Sequence, residues 1–293
     1  MNPLVSVVIT THNRKILLIN AIKSVFAQTY KELEVVLVDD ASNDGTQEEL
    51  LRSPFHERVK YIFLKESKGG NHARNIGIRQ THGKYIALLD DDDEWMPNKI
   101  EKQVLFLENH SDYGLVSCSR TMEFNYSERK NIDVSIFPHD GDMKAAIWYT
   151  NSLVTSTLMF RRNILFSVGM FDEQLTAWQD YELLLRTAQY TNIGIIREPL
   201  VLYRSLSTDK KRITNNIHKW ENSIKYINAK HRKFFDSQSN ETKKKYYKMV
   251  AVDGLHRSYT NRDRSKRIYY LWKLFICNPS LKGLFRIFVR GFI

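Results

Sequence analysis

Cysteine is scarce in this sequence of 293 residues, which contains only Cys118 and Cys277. Two cysteines so far apart exclude a disulfide-rich scaffold and a cysteine-based zinc site, and they favour a reducing compartment. The chain also lacks internal repeats, low-complexity tracts and a secretory signal, since Met1–Leu4 run directly into a strand-like segment. These absences predict a cytoplasmic globular protein, and 42% hydrophobic residues suffice for a buried core.

Negative charge is scarce in the last third of the chain. From Arg204 to the end there are 22 Lys and Arg against 6 Asp and Glu, which leaves 22 against 27 before it, for a net charge of +11. A protein that only bound nucleic acid would not need to concentrate its acids away from its bases. The asymmetry predicts two functional surfaces, with a domain boundary near residue 204.

Apolar runs rich in β-branched residues alternate with segments of helical periodicity in the first ninety residues. Helices are predicted from Ile16 to Phe26, with Thr11-His12-Asn13 as candidate capping residues, and from about Asn71 to Gln80. The four predicted strands are Val5–Thr10, Leu33–Asp40, Val59–Leu64 and Tyr85–Leu89. This alternation predicts an α/β domain with a mainly parallel sheet, whose ligands gather beyond the carboxyl ends of the strands.

Four consecutive aspartates, Asp90 to Asp93, follow the predicted strand that ends at Leu89. Their mutual repulsion is relieved by a hard divalent cation, and Mg²⁺ or Mn²⁺ is commonly held by one or two carboxylates together with substrate phosphates. An alternative is that they only cap a following helix that has Pro97 near its start. One or two aspartates suffice for capping, so we predict a metal and diphosphate site.

Two further polar clusters follow predicted strands. The run from Asp39 to Gly45 superficially suggests a calcium loop, but the position that needs a glutamate is Leu51 and the preceding segment is a strand. A turn that presents Asp40 to a ligand fits better. In the second cluster, Gly69 and Gly70 precede a helix that carries Arg74, and backbone amides and a guanidinium there suit a diphosphate.

Five segments together resemble glycosyltransferase family 2, a family of inverting enzymes with the GT-A fold. They are TTHNR at 10–14, VDDASNDGT at 38–46, GGNHARNIG at 69–77, LLDDDDEW at 88–95 and FDEQLTAWQDYELLLR at 171–186. Their order along the chain is far more specific than any one of them. The resemblance covers roughly residues 3–205 and leaves out the basic C-terminal region.

The resemblance implies roles for individual residues. It places a divalent metal, Mn²⁺ or Mg²⁺, on Asp92 with Asp90, and the general base on Asp180, which follows Gln179 where the family has Glu. The implied nucleotide-binding residues cluster at the strand ends: Thr10, Thr11, His12, Asn13, Arg14, Asp40, Gly70, Arg74, Asp90 and Asp91.

Within that set the family assigns separate contacts. Asp40 would bind the nucleobase with His12 beside it, and Thr10 would contact the nucleoside. Arg74 would serve the donor, and Asp91 would lie near the ribose.

The implied activity is transfer of a sugar from a nucleoside-diphosphate donor to an acceptor hydroxyl with inversion, and UDP is the favoured nucleotide. The implied acceptor is a saccharide or lipid-linked saccharide in cell-surface polysaccharide or glycolipid synthesis. The catalytic domain would span 1–208, with a nucleotide-sugar half to about residue 95 and an acceptor half from about 96 to 208. Residues 209–293 are predicted to form a helical basic region.

Two other classes remain as alternatives. A metal-dependent nucleotidyltransferase would use similar acids but release pyrophosphate. A nucleic-acid-binding protein could use Lys243, Lys244 and Lys245 with neighbouring tyrosines, but it leaves the acidic clusters unexplained. We therefore expect no nucleic-acid partner.

The end of the chain has an amphipathic pattern. Lys282, Arg286 and Arg290 recur every fourth residue, and another helical face carries Leu281, Leu284, Phe285, Phe288 and Phe292. Such a helix can lie in the headgroup region of an anionic membrane, or it can pack its apolar side on protein. The first alternative predicts peripheral attachment to the inner face of the cytoplasmic membrane.

Overall fold

A computed structural model describes residues 2–124, 128–132, 140–205 and 216–277. The chain divides into two compact units. The first comprises Met1–Lys144, Ser152–Leu175 and Gln179–Thr208, and the second comprises Ala145–Asn151, Thr176–Trp178 and Asp209–Ile293.

The first unit opens with alternating strands and helices, as the sequence predicts. The strands are β1 (Val5–Thr11), β2 (Leu33–Asp39), β3 (Val59–Phe63) and β4 (Tyr85–Asp90), and the helices are α1 (Lys15–Phe26), α2 (Thr46–Arg52) and α3 (Gly70–Arg79). The four strands pair in parallel in the order β3-β2-β1-β4. Their carboxyl ends therefore meet at one edge of the sheet, where the loops that follow β1, β2 and β4 converge.

The rest of the first unit extends the same sheet with long-range pairings. Its elements are β5 (Glu94–Trp95), α4 (Lys99–Asn109), β6 (Tyr113–Phe124), β7 (Glu128–Ile132), β8 (Met159–Arg161), α5 (Arg162–Ser167), α6 (Gln179–Tyr190) and β9 (Asn192–Ser205). The described strand order is β3-β2-β1-β4-β8-β6-β9-β5, and β7 pairs with β6. Strand β8 is antiparallel to both of its neighbours, so the sheet is parallel in its first four strands and mixed beyond them.

The core lies on the strands and on the inner faces of the helices. Val5, Val7 and Ile9 of β1 pack with Leu18 and Ile22 of α1, and all five are fully buried. Central parallel strands are covered on both faces, which explains why their sequences are almost continuously apolar. Gly77 of α3 lets that helix approach the sheet, since a Cβ there would lie 2.5 Å from a methyl group of Val8.

The second unit is mainly helical over its described residues from 216 to 277. Its helices are α7 (Ile217–Lys230), α8 (Arg232–Asp236), α9 (Asn240–Thr260) and α10 (Arg264–Cys277). An aromatic cluster packs around Trp148, whose ring centroid lies 4.9 Å from that of Phe235 and 5.6 Å from that of Tyr246. Every helix in the described part of the chain is too short or too polar to cross a bilayer. The amphipathic pattern at 281–293 lies outside the described residues.

The predicted caps of α1 are wrong. The N-cap position is Arg14, without a side-chain cap, and the backbone N–H of Lys15 instead donates to the carboxylate of Asp44 at 3.2 Å. Thr11 and Asn13 do not cap the helix because their side chains bind elsewhere: the Thr11 hydroxyl donates to Asp91, and the Asn13 side-chain oxygen accepts from the N–H of Asn43.

The structure also argues against the capping alternative for the four aspartates. The chain turns after Asp90, forms the two-residue strand β5, and begins α4 only at Lys99, with Asn98 in the N-cap position. The aspartates are therefore separated from the next helix, and their charge density needs another explanation.

Candidate active site

The acidic end of β4 lies beside the end of β1. In the parallel register Thr10 is opposite Asp90, so the loop that follows β1 approaches the aspartates. The loop after β1 carries Arg14, whereas the end of β4 carries the aspartates, so the two carry charges of opposite sign. This proximity follows from the strand order, because β1 lies between β2 and β4.

Arg74 of α3 forms an ion pair with Asp90, with 2.5 Å between Nη2 and Oδ1. Burial alone would lower the pKa of this guanidinium, but the charge and hydrogen bond of Asp90 outweigh burial and raise it. Gly70 leaves room for the pair, because a Cβ at that position would lie 3.0 Å from Nη1 of Arg74. The structure thus brings together three residues predicted for the donor site.

Arg14 forms a second ion pair with the aspartates. Its Nη1 lies 3.1 Å from Oδ1 of Asp91 and 3.0 Å from Oδ2 of Asp92. Asp91 also accepts a hydrogen bond of 2.7 Å from the hydroxyl of Thr11. Burial raises the pKa of Asp91 to about 7, with Arg14 acting in the opposite direction and Asp92 adding to the rise.

The fourth aspartate, Asp93, has a different environment. Its carboxylate accepts hydrogen bonds from the Ser156 hydroxyl at 2.5 Å and from the backbone N–H of Arg204 at 3.2 Å. Only 1% of the surface of Asp93 is exposed. Burial, with Asp92 and Asp90 nearby, raises its pKa well above the ordinary value. Asp93 therefore fastens the acidic turn to the second half of the unit, a role that the sequence pattern does not indicate.

Ser156 was missed by the sequence analysis, although it binds two residues of the acidic run. Besides donating to Asp93, its oxygen accepts the N–H of Asp90 at 3.1 Å. Ser156 lies in a short 3-10 turn at Thr155–Thr157, and no motif in the sequence points to it.

The carboxylate of Asp40 is engaged with the loop that precedes α3. It accepts hydrogen bonds from the hydroxyl of Ser67 at 2.7 Å and from the backbone N–H groups of Lys68 at 2.8 Å and Gly69 at 2.9 Å. The ring Nδ1 of His12 donates to the carbonyl of Asp40 at 2.6 Å. Asp40 thus joins the ends of β1 and β2 to the glycine turn, and its contact with a nucleobase stays a prediction.

Asp180 lies in the first turn of α6. Burial raises the pKa of its carboxyl above the ordinary value. The backbone N–H of Tyr181, which donates to this carboxyl at 2.8 Å, opposes the rise in pKa, and the charge of Asp90 adds to the rise. Arg74 acts in the lowering direction. Asp180 therefore lies within electrostatic range of the Arg74–Asp90 pair.

Arg120 on β6 is a second residue that the sequence analysis missed. It is 9% exposed, and one Nη donates to the carbonyl of Ser152. Burial lowers the pKa of its guanidinium, while Tyr203, Asp93 and Asp180 act in the raising direction. A buried cation therefore lies within electrostatic range of Asp180 from the opposite half of the unit.

The oxygen donors of the acidic run fit a hard divalent ion that is shared with a substrate. Among the described residues, no group of three or more His, Cys, Asp and Glu side chains is arranged to hold a metal by itself. Asp90 and Asp92 supply carboxylate oxygens, and Mg²⁺ or Mn²⁺ typically takes one or two such ligands and completes its shell with water and phosphate. Such a donor set suits a metal that binds together with a diphosphate.

The structure resembles solved glycosyltransferases along nearly the whole chain. A mannosyltransferase, PcManGT from Pyrobaculum calidifontis, solved with GDP-Man and Mn²⁺, matches with a TM-score of 0.65 at 20% identity, over 99% of this chain and 80% of that one. Staphylococcus aureus TarS, residues 1–349, solved with UDP, matches with a TM-score of 0.60 at 17% identity, over 94% and 92%. The fold is therefore the GT-A fold, which confirms the predicted fold class.

Sequence comparison gives the family. The chain is 30% identical over 252 residues to the putative colanic acid biosynthesis glycosyl transferase WcaA of Escherichia coli (strain K12), covering 82% of this chain and 85% of that protein. The aligned region spans 30 to 64% of the length of several uncharacterized Rickettsia glycosyltransferases. The profile of "Glycosyl transferase family 2" matches residues 6–168, more than half of the chain. The protein therefore belongs to glycosyl transferase family 2.

Proposed function

We propose that this glycosyltransferase transfers a sugar from a nucleoside-diphosphate donor, with UDP favoured, to a saccharide hydroxyl with inversion at the anomeric carbon. The main observation in support of this proposal is that Asp180 lies within electrostatic range of the Arg74–Asp90 ion pair at the carboxyl edge of the sheet. Inverting transfer needs both a base and a donor-binding cluster, and this proximity supports assigning those roles to Asp180 and to the Arg74–Asp90 pair.

The donor's diphosphate would bind at the acidic edge. Arg74 and Arg14 supply guanidinium groups for its oxygens, since planar guanidinium groups suit phosphate. Asp92, with Asp90, would hold a divalent metal, Mn²⁺ or Mg²⁺, and that ion when bound supplies positive charge to a diphosphate leaving group. PcManGT, whose solved complex contains Mn²⁺, supports this assignment.

Asp180 acts as the general base. The acceptor hydroxyl transfers its proton to a carboxylate oxygen of Asp180 as the oxygen forms a bond to the anomeric carbon, and the bond to the diphosphate breaks. One carboxylate is enough, unlike in glycoside hydrolysis, which usually needs two across the scissile bond. Arg120 and Arg74 favour the ionised form of this base through their positive charge.

A product assay tests the proposed function. The full chain is incubated with Mn²⁺, an acceptor mixture of bacterial polysaccharide precursors, and UDP-, GDP- or dTDP-sugars in turn. We expect release of nucleoside diphosphate, fastest with a UDP-sugar, and an anomeric configuration opposite to that of the donor in the product by NMR. Release of pyrophosphate, or retention of configuration, would contradict the proposal.

We further propose that the acceptor is a saccharide or lipid-linked saccharide and that the protein works at an anionic membrane surface. Among described residues the support comes from α10. Ile268, Trp272 and Ile276 recur every fourth residue and are 70%, 56% and 53% exposed. An exposed apolar line on a basic helix is typical of interfacial attachment.

Positive charge accompanies this apolar line. Burial raises the pKa of the Cys277 thiol at the end of α10, while Lys273 of the same helix and Lys244 and Lys248 of α9 act in the opposite direction. Three lysines therefore lie around the end of the line, where anionic headgroups would be attracted. The predicted amphipathic segment at 281–293 follows directly in the chain.

Replacing Ile268 and Trp272 with Ser is expected to weaken binding to vesicles that contain phosphatidylglycerol by roughly tenfold, because two apolar side chains no longer enter the lipid. Co-sedimentation of the full chain with anionic and with neutral vesicles measures this. A matched control replaces Leu51 and Leu105, exposed by 59% and 60% on the first unit, and should bind as the wild type does. Equal binding by all proteins, or no preference for anionic vesicles, would contradict membrane attachment through α10.

A further inference from the structure

Helix α3 carries two buried asparagines beside the donor-site arginine. Asn71 and Asn75 are 5% and 3% exposed, and their spacing of four residues places them on one face of the helix. Neither side chain contributes to the Arg74–Asp90 pair. Both are directed to the chain between Val168 and Leu175, here called the linking segment.

Asn75 binds the linking segment as a neighbouring strand would. Its Nδ2 donates to the carbonyl of Phe171 at 2.9 Å, and its Oδ1 accepts the N–H of the same residue at 3.0 Å. The amide nitrogen also donates to Oε1 of Glu173 at 2.8 Å, and His72 lies 2.8 Å from the other oxygen of that carboxylate.

Asn71 adds two hydrogen bonds to the same segment. Its Nδ2 donates to the carbonyls of Asp172 at 2.8 Å and Leu175 at 3.0 Å. The linking segment contains no helix or strand, so these side chains supply hydrogen-bond partners to backbone groups that lie outside regular secondary structure. Gly169 and Met170, with φ of +88° and +57°, give it a fixed turn.

Helix α6, which begins beside Asp180, binds the other end of the linking segment. Arg186 donates to the carbonyl of Met170 at 2.7 Å and to the carbonyl of Val168. Its guanidinium is oriented by Glu182, one turn earlier in α6, with 2.6 Å between Nη2 and Oε2. The linking segment is therefore bound to α3 on one side and to α6 on the other.

We infer that Asn71 and Asn75 are positioning residues that, through the linking segment, fix Asp180 relative to the donor-binding Arg74 on the same helix. The inference rests on the proposed role of Asp180. Arg74 and the two asparagines share one rigid helix, so any shift of the linking segment changes the position of the base relative to the donor. A displacement of the order of 1 Å can lower a rate by about 100-fold.

Replacing Asn75 with Ala tests this inference. The full chain is compared with the wild type for kcat, for donor KM and for UDP affinity by calorimetry in the presence of Mn²⁺. We expect kcat to fall by about 30-fold, with donor KM and UDP affinity changed by less than about threefold, because the donor contacts remain. Asn71→Ser, a smaller change, should give the same pattern with a smaller loss.

A matched control separates position from stability. Gln28 is also a buried amide with three hydrogen bonds to backbone groups, to the carbonyls of Ser24 and Met96 and from the N–H of Ile100. Gln28→Ala should lower the melting temperature as Asn75→Ala does while preserving kcat. An equal loss of kcat in both variants would overturn the inference, because it would reflect stability alone.

A second pair of variants tests the contact directly. Asn75→Asp places a carboxylate against the Phe171 carbonyl and Glu173, and we expect kcat to fall by about 100-fold. Adding Glu173→Gln supplies an amide that donates to the new carboxylate. We expect the kcat of the double variant to be about tenfold higher than that of Asn75→Asp. No recovery in the double variant would count against the contact.

The outcome also separates this inference from the proposed function. If Asp180→Asn is inactive while both asparagine variants turn over at the wild-type rate, only the positioning inference fails. If Asp180→Asn keeps wild-type activity, the proposed function itself fails.

Discussion

Replacing Asp180 with Asn is expected to lower kcat by about 10³-fold, the middle of the range for removal of a general base, while UDP affinity stays within about threefold of the wild type. The substitution preserves shape and removes the group that accepts the proton. Steady-state kinetics and calorimetry on the same preparations measure both quantities. Asp112→Asn is the control, since Asp112 is an exposed carboxylate that accepts a hydrogen bond of 2.8 Å from Asn192. Loss of nucleotide binding together with activity would assign Asp180 to the donor site instead.

The pH dependence of kcat follows from the same residue. The base must be ionised to accept a proton, and burial raises the pKa of Asp180 above the ordinary aspartate value of about 3.9. Activity is therefore present above the raised pKa and is lost as the pH falls through it. The acid limb of kcat against pH should lie above pH of about 3.9, and the residual activity of Asp180→Asn should lack that limb.

Replacing Asp92 with Ala should remove most of the metal-dependent binding of the donor. For the wild type we expect an increase in melting temperature that requires Mn²⁺ or Mg²⁺ and is largest with a UDP-sugar. Ligand at about 100 times its Kd should add about 2.7 kcal/mol to the free energy of unfolding. In the variant the shift should be largely lost, because one carboxylate ligand is missing.

The metal can also be removed from the wild type. Chelation with EDTA should reproduce the effect of Asp92→Ala, and added Mn²⁺ should restore the shift in the wild type but not in the variant. A wild-type shift of the same size with and without chelator would contradict a metal held by Asp92.

The sequence predicts the first half of the fold well because local patterns determine it. Mainly apolar runs mark β1 to β4, and helical periodicity marks α1 and α3. Each of these patterns spans fewer than fifteen residues. Their parallel order brings the polar strand ends together without any information about distant pairs. The family resemblance and the α/β fold class are confirmed.

The second half was less predictable because its contacts join residues far apart in the chain. Strand β8 has three residues and pairs with both β4 and β6, and no local pattern indicates that position. Ser156 and Arg120 were missed for the same reason, because the strand order, and no local pattern, brings each of them to its partners. The polar group after β1 was assigned to helix capping by a local rule, but its side chains bind the loop after β2 and the acidic turn.

The role of each site residue is less accessible than its location. Asp90, Asp91, Asp92 and Asp93 look alike in sequence, yet their partners differ: Asp90 pairs with Arg74, Asp91 and Asp92 pair with Arg14, and Asp93 is buried against Ser156. The environments are set by neighbours from four separate parts of the chain. Their assignment to metal, ribose or structural roles stays a prediction, which Asp92→Ala tests for the metal.

The anchoring of Asp93 has a consequence for protein engineering. Its partners Ser156 and Arg204 lie more than sixty residues further along the chain, beyond the segment that binds the nucleotide by resemblance. A chimeric enzyme that takes residues 1–95 from one family member and the remainder from another would leave a buried acid facing a foreign surface. Grafting a new donor preference onto this scaffold therefore requires the transplanted segment to keep at position 93 an acid that Ser156 of the retained part can bind.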